Sequence, residues 1–307
     1  MFKKVLTTVL VAAMCFSLAA CGGKKESDNS AGKDNTQTES NDAQKGSEDA
    51  SKADETDKKE DAADEKKTDA SGDSDIAKIK EKGKLVVGIT DFEPMDYKDE
   101  SGEWIGFDAD MAKEFAKSLG VDAEFMEIDW DNKAMELDGG NIDCVWNGMT
   151  LTDEVISAMD CSKPYCNNAQ IVILPTDKAD EYDSIDSLKD LNFAVEAGSA
   201  GEKEAEANGF KTTPVSNQAN ALMEVAGGTA DGAIIDSLMA AAMVGEGTSY
   251  ENLTYTIKLN DEKYGVGFRK GSDLKDELNS FFKKTYDDGS MKSCAEKYGV
   301  QAAIVEQ

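Results

Sequence analysis

The chain carries few groups with which to run a reaction. It contains no histidine, which removes Ser-His-Asp triads, histidine-activated cysteine nucleophiles and histidine-ligated metals. Arg269 is its one arginine. The six cysteines, Cys15, Cys21, Cys144, Cys161, Cys166 and Cys294, match no zinc-binding spacing. What remains suits recognition without catalysis. Phe92 and Trp130 fall at the ends of predicted strands, where an aromatic face can grip an apolar group or attract a cation. Ser199 follows Gly198 directly before a predicted helix. Its hydroxyl and the free amides there can meet a carboxylate; the same placement suits a plain helix N-cap, and the two roles can coexist.

The formal charge is −29 and the sequence pI about 4.3. A phosphate backbone is repelled, which excludes nucleic acid as a partner, and an anionic leaflet repels the body as well. The first residues give the address. Lys3 and Lys4 precede an apolar run, Val5 to Ala20, too short to span a bilayer comfortably, so residues 1–20 read as a signal peptide. The run closes in Leu18-Ala19-Ala20-Cys21, which resembles the lipobox of bacterial lipoproteins. Cys21 is then the lipid anchor, holding the protein outside the cytoplasm on the outer face of the cell membrane, because two acyl chains bind stably. Residues 21–75 comprise this cysteine and an acidic tether. Seventeen acids and nine lysines, with no aromatic residue, occupy 22–75. Such a segment buries too little surface to offset its chain entropy, and as a coil it spans roughly 40 Å.

The body is expected from Ile76 onward, where short β-rich runs alternate with amphipathic helices in the α/β manner. Leu85–Ile89 and Ile142–Trp146 read as strands. Met111, Ala112, Phe115 and Leu119 share one face of a helix begun near Asp108. A weak internal repeat follows. Leu137-Asp138-Gly139-Gly140-Asn141-Ile142-Asp143 and Val225-Ala226-Gly227-Gly228-Thr229-Ala230-Asp231 each give a helix end, a glycine pair and an Asp-bearing strand entry. Two similar α/β lobes would produce it. Cys144 reads as buried, while bridges Cys161–Cys166 or Cys166–Cys294 stay open.

Gly88-Ile89-Thr90-Asp91-Phe92-Glu93-Pro94-Met95, Gly102–Asp108, Asp129-Trp130, Gly140–Asp143, Trp146–Glu154 and Ser162–Tyr165, then Ala197-Gly198-Ser199 and Ile235-Asp236, follow one another in an order that resembles the amino-acid family of solute-binding proteins of ABC importers. The resemblance covers essentially the whole body. It implies a type II periplasmic-binding-protein-like fold: two α/β lobes joined by two crossover strands, with lobe 1 from 76–169 and 262–307 and lobe 2 from 170–261. It further implies a ligand site of Asp91, Phe92, Trp130, Asn147, Gly148, Thr150, Glu196, Ser199 and Asp236. Phe92 and Trp130 would stack on the ligand, Asn147, Gly148 and Thr150 would meet its head group, and Asp236 would take its amino group. No cofactor or metal is implied.

One departure stands out. The family usually places an arginine after Thr-Asp-Glu, a bidentate clamp for an α-carboxylate; here that position is Val155. With Asp91, Glu93, Glu196 and Asp236 near the cleft and no lysine at 154 or 156, the cleft reads as acidic and suited to a cation. The ligand is a small polar amino acid or amine, passed to permease and ATPase subunits encoded elsewhere. Alternatives are a ligand sensor signalling to a membrane receptor, a cyclohexadienyl-dehydratase-like enzyme on the same fold, which one arginine and no histidine disfavour, and a surface adhesin.

Overall fold

The computed structural model describes residues 74–307. The expected signal peptide, the Cys21 anchor and the tether up to residue 73 lie outside the described residues. The described residues begin at Ser74, two positions before the expected Ile76. Ser74 caps the first helix by accepting from Ala77 N, and the Ile76 amide donates to Asp273, 197 residues away in sequence. Asp75, counted with the tether on composition, is buried and 3.2 Å from the Arg269 guanidinium.

In chain order, the first stretch comprises α1 (Asp75–Lys82), β1 (Lys84–Ile89), β2 (Tyr97–Lys98), β3 (Trp104–Ile105), α2 (Phe107–Leu119), β4 (Asp122–Glu127), α3 (Lys133–Asp138), β5 (Cys144–Thr150), α4 (Asp153–Ala158), β6 (Asp160–Cys161) and β7 (Cys166–Asn168). The second comprises β8 (Gln170–Pro175), β9 (Asn192–Glu196), α5 (Ala200–Ala207), β10 (Lys211–Val215), α6 (Gln218–Ala226), β11 (Gly232–Asp236), α7 (Ser237–Met243) and β12 (Leu253–Lys258). The chain closes with β13 (Glu262–Phe268), α8 (Leu274–Asp287) and α9 (Ser290–Lys297).

Two sheets result. One runs β4-β1-β5-β13-β6, with β7 also on β13; the other runs β10-β9-β11-β8-β12. In each, three parallel strands meet an antiparallel strand that has just crossed from the other sheet: β13 beside β5, and β8 beside β11. The chain thus leaves the first sheet after Asn168 and returns to it at Glu262. The central strands β1, β5, β9 and β11 are almost wholly buried, as parallel strands covered on both faces must be. Helices α8 and α9 join the first sheet, where Phe282 packs edge-on against Trp146 with ring centres 5.5 Å apart.

The expected strand from Ile142 starts two residues late, at Cys144, and Asp143 is the reason. Its amide donates to Val86 O at 2.7 Å while its carboxylate accepts from Val86 N at 2.7 Å, which sets the strand entry by a side chain instead of the ladder. Cys144 is buried as expected. Among the described residues it, Cys161, Cys166 and Cys294 are all free thiols, so neither candidate bridge is closed.

Candidate functional site

A narrow cavity, with only about 20 Å³ of free space, lies between the two sheets. The first lobe supplies Phe92 after β1, Trp130 and Lys133 around the start of α3, and Asn147 to Val155 from the end of β5 into α4. The second supplies Glu196 at the end of β9, Gly198 to Lys203 at the start of α5, Gln218 opening α6, and Asp236 at the end of β11. Strand ends and helix starts therefore provide most of the wall, as is usual for open α/β sheets. The lobes touch here: a Cβ on Gly198 (φ +71°) would lie 2.6 Å from the Asp131 Cα.

Eight of the nine residues expected at the site line this cavity: Phe92, Trp130, Asn147, Gly148, Thr150, Glu196, Ser199 and Asp236. Asp91 does not. It lies outside the cavity lining, where burial and nearby Glu127 raise its pKa; Glu93 is also outside. Gly148 has a clear steric requirement. A Cβ there would sit 2.4 Å from Phe92 Cε1 and 3.1 Å from Tyr264 Cε2, at φ +54°, so glycine alone lets the Phe92 ring lie against the loop.

Several of these groups are already committed. Asn147 uses its whole amide: Oδ1 accepts from Thr90 N and Oγ1, and Nδ2 donates to Thr90 O and Asp96 Oδ2. The Gly148 amide donates to the buried Asp108 carboxylate at 2.7 Å, which Tyr165 OH also holds at 2.6 Å. Asp108 sits in the first turn of α2, and burial pushes its carboxyl up to about 7. Thr150 Oγ1 donates to Glu262 Oε1 at 2.8 Å.

The two cavity carboxylates of the second lobe differ sharply. Asp236 stands at the N-cap position of α7 without capping it. Its Oδ1 accepts from Tyr264 OH at 2.6 Å, Gln170 Nε2 at 3.0 Å and Asn168 Nδ2, and its Oδ2 accepts from Gln218 Nε2. Asn168 and Gln170 also donate to Glu262 Oε1, so both crossings between the sheets are tied to Asp236. Burial, and then the neighbouring Glu262 charge, raises its pKa well above the usual carboxylate range. Glu196 is equally buried, at 3% exposure, but among the described residues its Oε1 has no hydrogen-bond partner. Burial pushes it up to about 7, opposed by the nearby polar groups of Thr90 and Gln218 and the charge of Lys133.

The wall is not without bases. Lys133 Nζ donates to Trp130 O at 3.1 Å and Gly198 O at 3.0 Å, and lies 4.9 Å from the Trp130 ring centre. Lys203, on α5, pairs across the cleft with Glu154 on α4. The acidic reading of the cleft overlooked both, because neither is adjacent to Val155 in sequence. Val155 itself lines the cavity and is buried. Gln218, Lys133 and Lys203 are the site residues that sequence reasoning missed. The one available signal was that Lys133 lies three residues beyond Trp130, on the same helical face.

Residues 85–301 match the family described as bacterial extracellular solute-binding proteins, family 3. The chain belongs to this family. The solute-binding protein is 28% identical over 238 residues to the arginine-binding extracellular protein ArtP of Bacillus subtilis (strain 168), an alignment covering 75% of this chain and 91% of that one. It is 30% identical over 236 residues to the ABC transporter glutamine-binding protein GlnH of the same organism, covering 73% and 84%. Among solved structures, the ancestral amino acid-binding protein AncCDT-1, a precursor of cyclohexadienyl dehydratase, superposes with a TM-score of 0.67 at 33% identity over 73% of this chain and 99% of that one. The type II periplasmic-binding-protein fold is therefore that of this chain, and the chain is an extracellular solute-binding protein.

Proposed function

We propose that this solute-binding protein captures a polar α-amino acid, holds it unchanged between its lobes and delivers it to an ABC permease. The observation that carries this reading is the unpartnered Glu196 Oε1, buried in the cavity wall with Lys133 and Lys203 lining the same space. A buried acceptor without a donor is unfavourable until something supplies one, and a ligand ammonium does. Lysines in the same wall give the carboxylate of a zwitterion a place as well. The cavity wall thus carries two carboxyl groups, Glu196 and Asp236, matched in number by two lysines, Lys133 and Lys203.

Those lysines change the sequence reading of an acidic cleft suited to a cation. A cationic or neutral polar amino acid comes first, a carboxylate-free amine second, and an acidic amino acid last, because its second carboxylate meets Glu196 and Asp236. Arginine and glutamine, named for two of the relatives, belong to the first class. The reading as a binding protein without catalysis rests on the committed state of the side chains around the cavity: Asn147, Thr150 and Asp236 are held by protein partners, and no histidine is present. The export signal and lipidated Cys21 complete the proposal, since a capture subunit must stay near its permease.

Thermal unfolding of the purified protein against a panel of amino acids and amines tests the ligand class. At a hundred times its dissociation constant a ligand adds about 2.7 kcal/mol. A panel in which no amino acid raises the melting temperature refutes the reading. For the anchor, Cys21→Ser is expected to release the protein from the membrane fraction with its fold intact.

A further inference from the structure

We infer that Lys133 is the residue that binds the ligand's carboxylate, with Lys203 supporting it electrostatically, so that lysines from both lobes form the anion site. This rests on the amino-acid reading of the cavity and names the group that fixes it.

An ammonium has three hydrogens to donate. Lys133 directs two at the carbonyl oxygens of Trp130 and Gly198. Both are neutral acceptors. Among the described residues no carboxylate lies within ion-pairing distance of Lys133, whereas Lys203 has Glu154. Lys133 is thus a largely buried cation with one hydrogen unspent and no counter-ion in contact, which costs free energy unless an anion arrives. The surroundings favour that anion. Burial and the Lys203 charge together bring the Lys133 pKa down to about 8, while Glu196, Glu154 and Asp131 act more weakly in the opposite sense. Two cations that repel each other across one cavity are both relieved by a carboxylate between them. Ser199 and Ala200, which open the eight-residue helix α5, line the same cavity and present its positive end.

Among the described residues, the one other cation in the cavity wall, Lys203, already has a carboxylate partner. Val155 donates nothing from its side chain. Arg269 is held by Asp75 at 3.2 Å, Asp143 at 3.6 Å and Ile142 O at 2.7 Å, and it does not line the cavity. Glu196 takes the ligand's ammonium, leaving Lys133 for the carboxylate.

A competing role for Lys133 is that of a clip, since its bond to Gly198 O joins the lobes. Paired ligands separate the two roles. The native protein, Lys133→Met and Lys133→Arg are titrated calorimetrically with L-arginine and L-argininamide, and with L-glutamine and L-glutaminamide. Each amide keeps the ammonium and side chain and lacks the carboxylate. In Lys133→Met the amino acids are expected to weaken about ten- to hundredfold, the range for a hydrogen bond to a charged group, and the amides far less. Lys133→Arg retains the preference for the acid over its amide. Adding Val155→Arg to Lys133→Met restores it, by bringing a guanidinium to the same wall. Equal losses for acid and amide would make Lys133 a clip and overturn the inference, as would undiminished binding of the acid. Melting of the ligand-free variants reports whether each is folded. If none of the four probes binds the native protein while a different class of ligand does, the amino-acid reading fails and this inference falls with it.

Discussion

The two lobes share a frame and differ in how they spend charge on it. In each, a helix ends at a glycine pair whose second member is left-handed (φ 73° at Gly140, 74° at Gly228), and an aspartate then enters a strand. Asp143 exchanges two hydrogen bonds with Val86, at 2.7 and 2.7 Å. Asp231 exchanges the same two with Asn192, at 3.0 and 2.9 Å. The repeat visible in the sequence is therefore a repeated backbone device. Its charges have diverged. Asp143 is buried and meets Lys82 and Arg269, so the only arginine is consumed in the scaffold of the first lobe. Asp231 is exposed and, among the described residues, has no ion pair. The second lobe instead places carboxylates in the cavity, at the ends of the neighbouring strands β9 and β11. There the contrast repeats: Asp236 is saturated by the protein, while Glu196 keeps an oxygen open.

That contrast predicts opposite phenotypes. Asp236→Ala strips the acceptor from Tyr264 OH and Gln218 Nε2, both buried, and loosens Asn168 and Gln170 at the crossing. A folding loss of about 2–5 kcal/mol is expected, at about 1–3 kcal/mol for each orphaned group. Denaturant melts without ligand check this. A loss below about 1 kcal/mol would mean that Asp236 is as free as Glu196.

Glu196→Gln should behave in the reverse manner. Folding raises the Glu196 pKa from 4.5 to about 7, so the folded protein holds a proton that the unfolded chain has lost across that window. Stability therefore falls as pH rises from 4.5 to about 7 and levels off above it, by up to about 3 kcal/mol. Glu196→Gln removes this slope and melts higher than the native protein in mildly alkaline buffer, yet binds an amine about ten- to hundredfold more weakly. In the native protein, affinity for an ammonium rises with pH through about 7, because the ionised carboxylate is the acceptor. A native affinity flat across neutral pH would assign the amine elsewhere.

Gly148→Ala probes the first lobe's share. The new Cβ meets the Phe92 ring in a left-handed backbone position, at an expected cost of about 2 kcal/mol in stability and a loss of affinity for every ligand alike. Selective loss for one ligand would show that Phe92 discriminates rather than merely packs.

Much of this frame was legible in the sequence because it is local. Leu85–Ile89 and Phe193–Val195 are apolar runs of strand length, and both are strands. The glycine pairs announce helix ends, and the aromatics and Ser199 stand at strand ends or helix starts that face the cavity. What was not legible is tertiary. The commitment of Asp236 depends on Asn168, Gln170, Gln218 and Tyr264, which lie between 18 and 68 positions away and converge only when both crossings are made. Lys133 and Lys203 are 70 positions apart and meet one cavity from opposite lobes, so a search for a lysine beside Val155 could not find either. Asp91 adjoins Phe92, but adjacent residues leave a strand end in different directions, and only Phe92 reaches the wall.

The smallest expected effect joins the lobes across the cleft. Lys203 and Glu154 form an ion pair with side chains 38% and 75% exposed, so its loss should change stability by no more than about 1 kcal/mol and less at high salt. Its consequence lies in the titration of Lys133. Lys203 lowers the pKa of Lys133, and Glu154 raises it. A carboxylate is held by the ammonium form, so native affinity for an amino acid declines as pH rises through about 8. Lys203→Ala removes a repelling cation, and the decline should move to higher pH. Glu154→Gln removes an attracting anion, and the decline should move to lower pH. The matched amides, which have no carboxylate for Lys133 to hold, should show neither shift. Opposite displacements from the two halves of one ion pair cannot come from a general loosening of the cleft, which would move both variants in the same direction. Displacements of the same sign would therefore separate Lys133 from the carboxylate and leave the two lobes joined there by contact alone.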